Sequence, residues 1–402
     1  MENKLHKLVW KRYVRMPYGH LLDYADKNGD TPFPTADECN SCIPNVMSWG
    51  VSIENGAFFT GLYLYGLCEK YDSTHNPQTK EEILLLAKGL FLLSDVSKTD
   101  GFIARGVADD GVSHYPFSSE DQFGPWLLGL SRLSVCDAAD SLLRKKISEY
   151  ITRAINGVRN AEWNIPTEWD GITRGSYAHG DWRGSAKLLY TAVLAKKYGV
   201  IDSAEFEKLV SEYPDNGIYT RPEIVSNGFA PDMIRQPGLI QFWIDVCAHL
   251  CVKELIKLDP VRKEYYIRGL ALNGTAVLPF LRDYEKYISS EKKTISYDWR
   301  LLISQMNPWN NADEAVNEAG RQCGMFFSKI SPGMGMEKQL LGQAIFGCWI
   351  AVESGNEKIA KYAYDCLCNA CEKVDWECCG YNIIFAAEAA VNCYKFASSA
   401  TA

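Results

Sequence analysis

The sequence predicts an all-α protein: a toroid of helical hairpins of the (α/α)6 kind, formed by residues 1–402 as one domain. Three observations predict it. Apolar residues recur at helical spacing along nearly the whole chain. Two kinds of helix alternate, one amphipathic and one apolar on every side, with a period of roughly 45–65 residues. Strand signals are weak, with no βαβ rhythm and no glycine-rich phosphate loop, which argues against a doubly wound nucleotide fold. A helix apolar all round must be buried all round. An inner ring of helices wrapped by an outer ring meets that need. The exposed concave face of an open α-solenoid, the alternative, does not require it. Residues 4–14 add a seventh hairpin if they form a helix that pairs.

The elements follow in order. Segment 54–70 reads as the first buried helix, and Gly56, Gly61 and Gly66 at five-residue steps suggest close helix contacts. Segment 80–97 is an outer helix, more apolar than the other outer ones, and 121–133 is the second buried one. In 138–160, Leu143, Ile147, Ile151, Ile155 and Val158 make one apolar stripe, with Arg144, Lys145, Glu149 and Arg153 opposite. Segments 181–198 and 237–252 are buried, 260–286 and 312–330 outer, 339–352 buried, 357–373 outer and 381–394 buried.

The composition is that of a folded globular chain, 47% hydrophobic and 23% charged, which excludes disorder of the bulk. Forty-two basic residues against 50 acidic ones leave a net charge of −8, which opposes general nucleic-acid or acidic-membrane binding. No stretch reaches the ~18 apolar residues that span a bilayer. The N-terminal segment has no apolar run of signal-peptide length. Fourteen cysteines without such a signal read as reduced thiols, so the expected location is cytoplasmic. The unusual number is the aromatic share, 12%. Phe58, Phe59, Tyr63, Phe91 and Phe346 lie inside helices and read as core. The tryptophans in loops before buried helices are the ones available to a ligand.

Those loops carry the chemistry. Trp49, Glu54 and Asn55 precede the first buried helix. Arg105, Asp109, Asp110, His114, Glu120, Asp121 and Gln122 precede the second, and Trp126 follows within it. Trp169, Asp170, Arg174, Tyr177, His179, Asp181, Trp182 and Arg183 precede the third; Asn227, Asp232, Arg235 and Gln236 the fourth. Trp309 and Trp376 stand in later loops. In a closed toroid these helix starts share one mouth, which positive helix ends also face. Carboxylates, amides and flat rings together suit a polyol: rings stack on sugar faces, and carboxylates and amides bond hydroxyls. The expected partner is a small oligosaccharide, with no cofactor.

The run Ser118-Ser119-Glu120-Asp121-Gln122, followed by Pro125-Trp126-Leu127-Leu128-Gly129-Leu130 and set among apolar inner helices, resembles the six-hairpin glycosidase superfamily. In layout it is similar to the unsaturated glucuronyl and rhamnogalacturonyl hydrolases. The resemblance implies a glycoside hydrolase in which Asp121 is the general acid/base. It also implies that one Asp can protonate a vinyl ether and activate water, and that Arg105, Arg174, Arg183 or Arg235 can fork a uronate carboxylate. Glu54 and Asp181 are the candidates for a second carboxylate. Trp49, Trp126, Trp169, Trp182, Tyr177 and Trp309 are expected stacking platforms, with His114, His179, Arg174, Asn55 and Gln122 as hydrogen-bonding partners.

Each residue also has a plainer reading. Asp121 and Glu54 suit helix N-caps and first turns. Asp181 suits an ion pair with Arg183 or Arg174. Asp109-Asp110-Gly111 and Asp170-Gly171 have turn composition. His249 sits on an apolar helix and reads as core. The N-acylglucosamine 2-epimerase toroid uses a histidine pair with one member near the chain's end, whereas no histidine follows His249 here. Cys39 and Cys42 form a C-x-x-C pair, and Ala178-His179-Gly180 with Cys378-Cys379-Gly380 faintly resembles zinc ligation in the lanthionine cyclase-like toroid, but its second His-Gly motif is missing, and no metal is expected. A lyase, an epimerase or a non-catalytic binder on the same scaffold are the competing functions.

Overall fold

A computed structural model describes residues 2–235, 241–290 and 297–396. It is mostly helical, with two short antiparallel ribbons. The chain opens with α1 (Glu2–Arg12), then β1 (Val14–Arg15) paired with β2 (His20–Leu21), and the short α2 (Ala36–Asn40). Three helical hairpins follow: α3 (Gly56–Thr74) with α4 (Pro77–Asp95), α5 (Glu120–Val135) with α6 (Ser141–Asn160), and α7 (Trp182–Lys197) with the short α8 (Ser203–Ser211). Between α6 and α7 lies the ribbon β3 (Asn164–Pro166) and β4 (Thr173–Ser176). Short helices α9 (Arg221–Ser226) and α10 (Ala230–Arg235) lead to α11 (Phe242–Leu258), α12 (Lys263–Ala276) and α13 (Tyr284–Ser289). The last part holds α14 (Ala312–Met325), α15 (Pro332–Met336), α16 (Gln343–Val352), α17 (Glu357–Lys373) and α18 (Ile384–Phe396).

The two kinds of helix are as the periodicity predicts. Along α3, fourteen residues are buried on all sides of the helix, and α16 and α18 are buried almost throughout. By contrast α6 buries only Ile147, Ile151, Ala154, Ile155, Gly157 and Val158. The buried helices pack on one another: α3 on α5 and α18, α11 on α5, α7 and α16, and α16 on α18. The amphipathic ones lie against them, α4 on α3, α6 on α5, α12 on α11, α17 on α16, and α1 on α18. Small residues set the closest crossing. A Cβ on Gly61 would fall 2.0 Å from the carbonyl oxygen of Pro125, and one on Gly129 would fall 2.6 Å from that of Gly61.

Three boundaries differ from the periodic reading. Segment 260–286 is broken after α12 by Leu278-Pro279-Phe280, where proline removes a backbone donor and the chain tightens to a 3-10 turn. Segment 312–330 leaves α geometry at Phe326–Ile330, which is π-helical, and stops before Pro332. The start of 339–352 is also π-helical, over Glu337–Gly342. A period-based reading does not distinguish a π turn from an α turn. Residues 237–240 of the fourth expected buried segment, and Gln236 before them, lie outside the described residues, as does the Arg235 side chain. Among the described residues no helix is long and apolar enough to cross a membrane.

Candidate functional site

The starts of α3 and α5 lie side by side and are tied by side-chain amides. Asn55 Oδ1 accepts from Gln122 Nε2 at 3.0 Å, and Gln122 Oε1 accepts from Phe58 N at 3.3 Å. Asn55 is itself fixed by Asp23, whose two oxygens accept from its backbone N at 2.5 Å and its Nδ2 at 2.7 Å. Burial, then the nearby Glu54 charge, push the Asp23 carboxyl well above the usual carboxylate range. Asp23 has no signal in the sequence, because it enters from a segment far from any helix start.

Glu54 is buried, with its side chain 4% exposed. Its Oε2 accepts from Tyr24 Oη and from Gly50 N, both at 2.8 Å. Gly50 reaches this position at φ +82°, a left-handed conformation that glycine adopts without strain. Oε1 faces the ammonium of Lys338 at 3.8 Å. Lys338 stands in the π-helical turn before α16, and Trp243, Phe327 and Tyr381 present ring faces to its Nζ at 5.1, 5.0 and 5.9 Å. Burial draws its pKa down, but Glu54, then Cys323, Asp23 and Asp121, outweigh that and hold it above the ordinary lysine value. Sequence reasoning missed Lys338 and Trp243 as well.

Asp121 is in the first turn of α5, and Ser119 Oγ donates to its Oδ1. Arg105 links Asp121 to Glu54. Its Nη2 lies 3.8 Å from Asp121 Oδ1 and donates to Ser119 Oγ at 2.6 Å. Its Nη1 donates to the Glu54 carbonyl at 2.9 Å and its Nε to the Phe117 carbonyl at 3.1 Å. Burial lowers the Arg105 pKa, against the Asp121 and Glu54 charges. All three nitrogens are therefore committed to the protein, a bracing role for this arginine. Lys187, buried in α7, sits 3.6 Å from Glu120 Oε2 beside the same helix start. The β4 ribbon strand carrying Arg174 packs against α5 there, and Arg174 is close enough to oppose the Arg105 charge.

The other expected residues separate. Asp181 caps α7, accepting from Gly184 N at 2.6 Å. It lines a cavity of about 1000 Å³ with His179, Arg183, Tyr219, Asp232 and Arg268, and neither Glu54 nor Asp121 is in that lining. Arg183 pairs with Asp245 at 2.5 Å rather than with Asp181. His114 pairs with Glu168 at 3.1 Å and packs on Phe102. Trp126 is a core residue, fully buried and donating to Leu90 O at 2.8 Å; Trp182 is also buried, donating to Val225 O at 3.3 Å, and stands at the wall of the Asp181 cavity. Tyr177 is likewise buried, its hydroxyl on the Glu120 carbonyl at 3.3 Å. An aromatic just inside a helix start can face either way, and here the core took it.

Trp49, Trp169 and Trp309 gather in a small second cluster with Phe117, Val46, Met47 and Ala315. Trp169 meets Trp309 at 5.6 Å and the edge of Phe117 at 4.8 Å. All three tryptophans remain partly exposed. Trp49 adjoins Gly50, which donates to Glu54, and the Phe117 carbonyl takes Arg105, so this wall borders the Glu54–Asp121 centre. Among the described residues no three His, Cys, Asp or Glu are grouped to hold a metal ion. Comparison with family models, curated proteins and solved structures finds no match for the chain.

Proposed function

We propose that the protein is a cytoplasmic glycoside hydrolase acting on a short oligosaccharide, uronate-bearing fragments included, with Asp121 as general acid/base. We read the helices as a toroid of six hairpins. Six pairs of neighbouring helices, α3 with α4, α5 with α6, α7 with α8, α11 with α12, α16 with α17 and α18 with α1, support that reading. The observation that carries the function is that Glu54 and Asp121 stand at the starts of two adjacent buried helices, linked by one buried arginine that meets the Glu54 backbone carbonyl and the Asp121 carboxylate, beside partly exposed aromatic rings. Two carboxyls, a ring wall and an enclosing apolar scaffold are what protonation of a glycosidic or vinyl-ether oxygen and activation of water require. Asp181, in its own cavity, serves α7 as a cap in this reading.

Asp121→Asn tests it. The side chain keeps its size and its bond from Ser119 while losing its proton chemistry. Turnover of a responsive oligosaccharide falls by about 10²–10⁴-fold, with saccharide binding retained in a titration. Product mass identifies the reaction, since hydrolysis adds a water, elimination leaves a double bond and epimerisation leaves the mass unchanged. An Asp121→Asn protein as fast as wild type refutes the assignment.

A further inference from the structure

We infer that Lys338 and Glu54 form a hydroxyl-reading subsite, in which Lys338 Nζ donates to, and Glu54 Oε1 accepts from, the same neutral sugar hydroxyl. Lys338 is then a substrate-binding residue that sets specificity; this rests on the saccharide reading above.

The two oxygens of Glu54 are treated differently. Oε2 has two donors at 2.8 Å, while among the described residues Oε1 has only the ammonium, 3.8 Å away and beyond hydrogen-bond reach. The ammonium also sits among rings that attract its charge but take up no N–H as an oxygen acceptor would. A donor and an acceptor thus stand side by side, both unspent. An oxygen about 2.8 Å from each closes the triangle that a 3.8 Å separation leaves open. A hydroxyl fits, since it donates one proton and accepts another. A carboxylate does not, because it would set a second anion against Oε1 with no proton to offer. A uronate group therefore belongs elsewhere in the mouth.

The pair is held in place from behind. Glu337, the residue before Lys338, accepts from Gly380 N at 3.0 Å and Tyr381 N at 2.7 Å. That ties the π-helical turn to the segment just before α18 that carries Tyr381. Trp243 and Phe327 are only partly buried, and the Lys338 side chain is 18% exposed, so the pair and its rings reach open space. A ring beside a hydroxyl pair is the arrangement that receives one face of a pyranose.

The experiment titrates the full chain with neutral disaccharides of glucose, galactose and rhamnose and their glucuronate-bearing counterparts, followed by monodeoxy analogues of the best binder. Turnover is measured in parallel. Expected for wild type is a loss of tenfold or more for one deoxy position. Lys338→Met is expected to bind the parent sugar at least tenfold more weakly and to lose that discrimination. Lys338→Arg recovers part of the binding. Lys338→Met that folds, by circular dichroism and melting, and binds and discriminates like wild type overturns the inference while the hydrolase reading stands. If Lys338→Met does not fold, Glu54→Gln replaces it: unchanged binding and deoxy discrimination overturn the inference, and their loss supports it. Binding that depends on Lys338 without any turnover supports the inference and refutes the hydrolase reading. No binding of any sugar in the panel by wild type overturns the inference.

Discussion

Two buried carboxylates in this molecule are handled in opposite ways. Between α1, α3, α4 and α18, His6 sits 2.9 Å from both Glu388 and Glu82. Tyr63 Oη donates to the second oxygen of Glu388 at 2.7 Å, and Gln78 supports Glu82 at 2.9 Å. Both carboxylates have hydrogen-bond partners drawn from the fold. At the start of α3, Glu54 has one saturated oxygen and one left facing a cation across a 3.8 Å gap. Glu388 is closed, with a partner on each oxygen, and its network joins four helices. Glu54 is open on one side, and an atom left open in a buried pair is available to a ligand. The contrast separates groups that hold the fold from groups that use it.

The largest effect on stability is expected where the closed network is broken. Glu388→Ala removes one of the two carboxylates facing the His6 imidazolium and the acceptor of the buried Tyr63 hydroxyl, and is expected to cost about 3–5 kcal/mol in denaturant unfolding. The pH dependence follows with a smaller amplitude. Burial pulls His6 down, but the hydrogen bonds and charges of Glu388 and then Glu82 raise it from 6.5 to about 9. A raised folded-state pKa means that this stabilisation is complete below about pH 6.5 and is lost as pH climbs through about 9. The urea midpoint should fall over that window, and His6→Gln should flatten the fall. Glu54→Gln keeps an acceptor for Tyr24 or Gly50 and is expected to cost only about 1 kcal/mol. If it costs as much as Glu388→Ala, the distinction between open and closed networks fails. Lys361→Ala removes an exposed pair with Asp365 and should change stability by less than about 0.5 kcal/mol.

The helical class and the alternation of buried and half-buried helices were legible because burial on every side leaves a mark at every position. Glu54, Asn55, Asp121 and Gln122 were legible as helix starts, and the structure brings those four together. Lys338 was not. A single lysine before an apolar helix reads as a solvated residue, and only the π-helical turn and three rings from three other segments give it a setting. Asp23 was hidden for a similar reason, since its partner Asn55 is thirty-two positions away. The tryptophans were half legible. Composition marks them as notable, but whether a ring at a helix start faces core or mouth depends on the neighbouring helix. Trp126 and Trp182 went one way, and Trp169 and Trp309 the other.

The π-helical turn over Glu337–Gly342 gives the site an unusual kind of inheritance. Such a turn holds one residue more than the α turn it replaces. Removing a single codon there would restore the α period and swing Lys338 by roughly 100° about the helix axis. No side chain would change identity, yet the ammonium would leave Glu54. Descendants of this chain could gain or lose the subsite by a change in length, a step that a comparison of aligned residue types would pass over.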